Sequence, residues 1–142
     1  MNDFYDLADF DREQIDELLT LTRRLCEKPE PQALAGKDLA LLFMSSSLRT
    51  LASFQAAMAR LGGGTFVISP EMSIHGLENR SGIVMDGVAA EHIREAIPVI
   101  ASYGDALGIR LFADRHKIAD DLADRQYNEM RKLCKVPLIN ME

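Results

Sequence analysis

Hydrophobic positions along the 142-residue chain switch between a helical spacing and unbroken strand-length runs. Asp11 opens the first helical stretch, with Gln14 at capping-box distance. Ile15, Leu18, Leu19, Thr22, Leu25 and Cys26 share one face of it and form the stripe expected to be buried. Glu27-Lys-Pro-Glu-Pro31 stops the helix, because a proline ring cannot continue it. An apolar run without alternation then covers about Asp38–Met44, which fits a strand covered on both faces, as in a parallel sheet. Leu51, Phe54, Met58 and Leu61 predict a second helix over about Arg49–Leu61, closed by Gly62-Gly-Gly64. Thr65–Ser69 reads as a second strand ended by Pro70.

Residues 71–88 form a long connection of weak periodicity, a length that compact domains reserve for functional or disordered segments. A third helix is predicted over about Ala89–Tyr103, with Ile93, Ile97 and Ile100 on one face and a kink at Pro98. Ala106–Phe112 is the third strand, Ile118–Leu133 the fourth helix and Val136–Met141 the fourth strand, where Pro137 is tolerable near the start. This alternation predicts a doubly wound three-layer α/β/α domain with a parallel sheet of about four strands and right-handed crossovers.

Ligands in such sheets bind outside the carboxyl ends of the strands. The first strand runs into Phe43-Met-Ser-Ser-Ser-Leu-Arg-Thr50, and the third carries Arg110 near its end. The strand-to-helix junction offers free backbone N–H groups and the positive end of a helix dipole. Ser47 and Thr50 add hydroxyls, and Arg49 adds a planar fork suited to phosphate. Two readings of the cluster stay open: an anion site, or a serine N-cap beside a solvated arginine. No glycine-rich loop or Walker lysine accompanies it. Arg110, in an apolar strand, calls for an anion or an internal carboxylate.

Composition narrows the classes. Hydrophobic residues make up 47% and charged residues 27%, as in one globular, soluble domain. A net charge of −6 argues against nucleic acid, and it requires an anionic substrate to be held by local donors. Cys26 and Cys134 lack metal-ligand spacing and read as free thiols of a reducing cytoplasm. No signal peptide and no run of membrane-spanning length are visible. A receiver domain is set aside, because the strand ends offer hydroxyls and arginines rather than clustered carboxylates for magnesium.

Phe43-x-x-x-Ser47-x-Arg49-Thr50-x-x-Ser53-Phe54 resembles the carbamoyl-phosphate motif of the aspartate and ornithine carbamoyltransferases. Leu48 stands where the N-acylornithine branch carries leucine or methionine. Gly108-Ile-Arg-Leu-Phe112, Val84-Met-Asp-Gly87, Glu91-His92-Ile93 and Val136-Pro-Leu-Ile-Asn-Met-Glu142 are similar to segments of the same branch. The resemblance therefore covers nearly the whole chain. Three positions depart from the pattern. Leu51 replaces a second arginine, His75 a tryptophan that reaches into the neighbouring subunit's site, and Ala90 a glutamate associated with acyl specificity.

The resemblance implies carbamoyl transfer to an ornithine-like amine, N-acetylornithine or ornithine, in arginine biosynthesis, without metal or cofactor. Ser47, Leu48, Arg49, Thr50 and Arg110 would bind carbamoyl phosphate, with Arg49, Thr50 and Arg110 as the catalytic set. His75 would be a further ligand or a solvated loop histidine. Residues 1–142 would be the carbamoyl-phosphate domain, without the family's His-Pro-x-Gln segment and C-terminal amino-acid-binding domain. Homotrimers and a cytoplasmic location are expected, with neither nucleic acid nor membrane as partner. The alternative is a non-catalytic anion-binding or interaction module of the same fold. Asp86 would orient its loop or simply form an Asp-Gly turn. His92 and His116 read as helix-surface and loop residues, and Met44, Met58 and Met130 as core filler.

Overall fold

The computed structural model describes residues 3–70, 76–80, 82–113 and 118–142. Helix α1 (Arg12–Glu27) starts at the expected box: the Gln14 N–H donates to Asp11 Oδ1, and the Asp11 N–H to Gln14 Oε1, both at 2.9 Å. Strand β1 (Asp38–Phe43) follows, then α2 (Leu48–Arg60) and β2 (Gly64–Ile68). The short strands β3 (Leu77–Glu78) and β4 (Glu91–His92) pair in parallel as a second, small sheet. Then come α3 (Ile93–Ser102), β5 (Ala106–Arg110), α4 (Ile118–Leu122), α5 (Arg125–Leu133) and β6 (Leu138–Asn140). The main sheet has the order β2-β1-β5-β6, and every pairing is parallel.

Residues Leu39 to Phe43 are all buried, which explains why β1 shows no alternation. Their side chains nevertheless divide between the two faces of the sheet. Ala40, Leu42, Leu107, Ile109 and Leu138 join Ile93, Ile97 and Ala101 of α3 and Tyr127 and Met130 of α5. Leu39, Leu41 and Phe43 join Met58 of α2 and Met141. The architecture is thus the expected α/β/α sandwich. Each fully buried leucine or isoleucine contributes about 1.5–3 kcal/mol of transfer free energy. Gly62 is required by its surroundings: it ends α2 with φ +83°, and a Cβ there would lie 2.3 Å from the Pro31 carbonyl oxygen.

Three local expectations are corrected. The stripe of α1 is not buried: no residue of that helix is, and Leu18 and Leu19 are 37% and 52% exposed. The cores on the two faces of the sheet are built with α2, α3 and α5, and no α1 side chain joins either. The third helix begins at Ile93 rather than Ala89, because Glu91 and His92 pair with β3; it continues through Pro98 to Ser102. The fourth helix breaks in two at Asp124, which adopts a left-handed φ of 46°, a conformation that a short polar side chain tolerates. The Tyr5 hydroxyl donates to Asp124 there. In addition, the N-terminal segment joins the sheet edge. The Phe4 N–H bonds the Leu138 carbonyl and the Phe4 carbonyl accepts from the Asn140 N–H, both at 2.8 Å.

Candidate functional site

After β1 the chain moves to β2 on one side of it, whereas β5 lies on the other side. The carboxyl ends of β1 and β5 therefore flank a topological switch point, where open α/β sheets leave a crevice. Phe43 is in register with Arg110 at this end. The N–H groups of Met44 and Ser45 both donate to the Arg110 carbonyl, at 2.9 and 3.2 Å. The Phe112 N–H returns to Ser45 Oγ at 3.3 Å. The serine loop is thereby stitched to the end of β5.

Arg110 is buried, with 9% of its surface exposed. Its Nη1 donates to the carbonyl oxygens of Ser45 and Ser46 at 3.0 and 2.8 Å, and Nη2 lies 3.2 Å from Glu142 Oε2. The guanidinium carbon sits 4.2 Å from the centre of the Phe112 ring. Both demands of a buried arginine are met locally: carbonyls take its hydrogens and a carboxylate answers its charge. Only Nε is covered and left without a partner.

The start of α2 completes this end of the sheet. Ser47 is its N-cap, accepting from the Thr50 N–H at 3.4 Å, with its hydroxyl 3.0 Å from Thr50 Oγ1. That cap bond is long, so the two hydroxyls are only loosely held by the helix. The first turn carries no acidic residue to repel an anion. Arg49 is exposed and forms no hydrogen bond or ion pair with any described residue. Leu48 is 87% exposed, so its position contributes a backbone N–H rather than packing. Ser53 turns back to the Thr50 carbonyl at 2.9 Å, away from the role of a free donor. Leu51 is half-buried against the α2-side core, which accounts for an apolar residue at that position.

The structure thus brings Ser47, Leu48, Arg49 and Thr50 to one helix start, beside the loop that Arg110 grips. His75 and His116 lie outside the described residues. His92 is buried, contrary to its expected place on a helix surface. Its Nδ1 accepts from the Arg94 N–H at 3.1 Å, which caps α3. Nε2 therefore carries the proton and donates to the Arg80 carbonyl at 3.0 Å. Nearby, Glu78 accepts from the Arg80 N–H and Nε, each at 2.9 Å, and from its Nη2 at 2.8 Å. The Arg80 side chain and N–H push the Glu78 carboxyl down to about 2. Asp86 and Ala90 are exposed, and the Asp86 N–H closes a turn onto the Val84 carbonyl at 2.9 Å.

Glu142 and Phe112 are the site neighbours that sequence reasoning missed. Glu142 is aimed by its own backbone, whose N–H bonds Asn140 Oδ1 at 3.1 Å, while Asn140 Nδ2 bonds the Tyr5 carbonyl at 3.2 Å. No local motif announces a contact across that much sequence. A shallow groove along α1, lined by Arg12, Asp16, Thr20, Leu21 and Arg24, shares no residue with this cluster. Among the described residues no group of three or more metal-ligating side chains gathers.

The family model of the aspartate/ornithine carbamoyltransferase carbamoyl-P binding domain matches residues 2–142. The chain is 34% identical over 139 residues to N-acetylornithine carbamoyltransferase of Xanthomonas campestris pv. campestris, covering 98% of this chain and 41% of that protein. It is 36% identical over 107 residues to N-succinylornithine carbamoyltransferase of Bacteroides thetaiotaomicron, covering 75% of this chain and 34% of that one. An acetylornithine transcarbamylase solved with acetylcitrulline superposes with a TM-score of 0.91 at 34% identity, covering all of this chain and 42% of that one. The chain spans about two-fifths of the length of these N-acetylornithine enzymes.

Proposed function

Since the chain belongs to the aspartate/ornithine carbamoyltransferase family and comprises its carbamoyl-P binding domain, we propose that the crevice between β1 and β5 binds carbamoyl phosphate for transfer to an N-acylornithine-type amine. The observation that carries this reading is the Arg110 fork gripping the Ser45 and Ser46 carbonyls, which sets a buried cation beside the open start of α2.

Ser47, the Leu48 N–H, Arg49 and Thr50 hold the phosphate, because helix-start donors and a guanidinium both favour a dianion. Thr50 and Arg110 polarise the carbamoyl oxygen. The uncharged amine attacks the carbamoyl carbon, negative charge gathers on that oxygen, and the carbon–oxygen bond to phosphate breaks as the amine's proton passes to the departing phosphate. Donors fixed in advance stabilise the developing charge more than they stabilise the ground state. Holding both reactants in one crevice supplies a further large share.

The acceptor is N-acetylornithine or ornithine. Arginine biosynthesis is the matching metabolic setting. A homotrimer is proposed on the exposed Val84, Met85 and Val88, which leave an apolar stretch open to a neighbouring subunit. Cys26 and Cys134 as free thiols favour a cytoplasmic location, and among the described residues no helix is long and apolar enough to cross a membrane.

The test is calorimetric titration of the purified 142-residue chain with carbamoyl phosphate, beside a product assay with ornithine and its acyl derivatives. Saturable one-site binding of carbamoyl phosphate is expected. Failure to bind contradicts the reading.

A further inference from the structure

The connection between β3 and β4 is tied at its base. Leu77 pairs with Glu91 and Glu78 with His92, in parallel. Directly after β3, the Glu78 carboxylate takes three bonds from Arg80, from its N–H, Nε and Nη2. A carboxylate that holds both the backbone and the fork of a residue two positions on fixes the turn between them. That turn sets the Arg80 carbonyl 3.0 Å from His92 Nε2. On its other side the ring accepts from the Arg94 N–H at 3.1 Å and caps α3. A backbone N–H only donates and a carbonyl only accepts, so both bonds exist only with Nδ1 unprotonated and the proton on Nε2. The ring is buried, and Ile93 and Ile97, next along α3, are fully buried in the core. A cap by itself needs only a short side chain such as serine or asparagine. An imidazole is longer than that task requires, and its far nitrogen reaches a second segment.

We propose that His92 is a two-ended pin: Nδ1 caps α3 while Nε2–H holds the Arg80 carbonyl, so the connection between β3 and β4 takes its position from the rigid start of α3. His92 is thus a positioning residue. The connection carries Val84, Met85 and Val88, and the pin sets where that apolar stretch stands relative to the core. The two bonds share one ring, so an opening at either end releases the other, and the two segments open as one unit. An imidazole that merely filled space would support helix and connection alike, with no division of labour between its nitrogens.

Asparagine and glutamine separate the two ends. The asparagine amide oxygen stands near the place of Nδ1 and keeps the cap, but the side chain is too short for the Arg80 carbonyl. The glutamine amide nitrogen stands near the place of Nε2 and can donate to that carbonyl, but glutamine caps poorly. The experiment is amide hydrogen exchange by NMR on the 142-residue chain as wild type, His92→Asn and His92→Gln, beside a long-range proton–nitrogen spectrum of the wild-type imidazole. In wild type the Nε2–H tautomer is expected, and the Arg94 amide should exchange together with the amides of residues 77–80. His92→Asn should speed exchange over residues 77–80 about three- to tenfold, the loss of one net hydrogen bond, and leave the Arg94 amide within about twofold. His92→Gln should do the reverse. An Nδ1–H tautomer, independent exchange of the two segments in wild type, or equal acceleration of both segments by both variants overturns the pin. The tautomer and the joint exchange are read on wild type, so the test stands even where a variant fails to fold.

Discussion

Replacing Arg110 by lysine keeps the positive charge and removes the fork. Nη1 serves two carbonyls at 3.0 and 2.8 Å while Nη2 faces Glu142 at 3.2 Å. An ammonium is a point donor on a flexible stem and cannot reach both sides of this arrangement. A charge-assisted hydrogen bond is worth about 1.5–3 kcal/mol. Lysine retains one of the two loop contacts, and the exposed Ser46 recovers water at its carbonyl. The ion pair contributes little to the difference, because lysine keeps the charge and the Glu142 side chain is 42% exposed. A net loss of about 2 kcal/mol follows. For 142 residues the unfolding entropy is about 0.3 kcal/mol/K, so the melting temperature should fall by about 7 °C. Differential scanning calorimetry of Arg110→Lys reads this directly, with Arg49→Lys as the partner measurement in which no change is expected. A shift within about 1 °C for Arg110→Lys would refute the claim that its fork holds the serine loop.

Arg49→Lys should leave stability unchanged, because Arg49 is exposed and bonds to no described residue, yet weaken carbamoyl phosphate binding about tenfold or more; equal affinities by calorimetry would remove Arg49 from the site. The Glu78 carboxyl, held at about 2 by Arg80, adds stability that is fully present above its unfolded value near 4.3 and is lost as pH falls toward 2. A carboxyl-carbon NMR titration with a midpoint near 4.3 would show that this clamp is absent in solution. Ile97→Ala, at a fully buried position, should cost about 2–5 kcal/mol in denaturant unfolding, whereas Leu18→Gln on the exposed face of α1 should cost under about 0.5 kcal/mol. A large cost at Leu18 would mean that the helix packs more tightly than its 37% exposure implies.

The strands were legible because each carries its signal locally. Leu39 to Phe43 are apolar without a break since both faces of β1 are covered, and Gly62 marks the end of α2 since only a glycine fits its φ against Pro31. The cluster Ser47–Thr50 was legible for a related reason: polar residues at a strand-to-helix junction have one place to point. What failed depended on distant partners. The α1 stripe has ordinary amphipathic spacing, but spacing cannot say that the sheet is covered by other helices. His92 looked like a surface residue until β3 paired with β4 and set the Arg80 carbonyl against its ring. The break at Asp124 is met by Tyr5, far away in sequence. Glu142 meets Arg110 only because β6 lies beside β5.

The central claim is that carbamoyl phosphate lies at the switch point between β1 and β5, and a crystal structure of the chain grown with carbamoyl phosphate tests it most directly. The ligand's phosphate should be found within hydrogen-bond distance of Ser47, the Leu48 N–H, Arg49 and Thr50, with its carbamoyl oxygen facing Thr50 and Arg110. A ligand bound elsewhere, or Arg110 unchanged in its pairing while phosphate occupies the start of α2, would contradict the account.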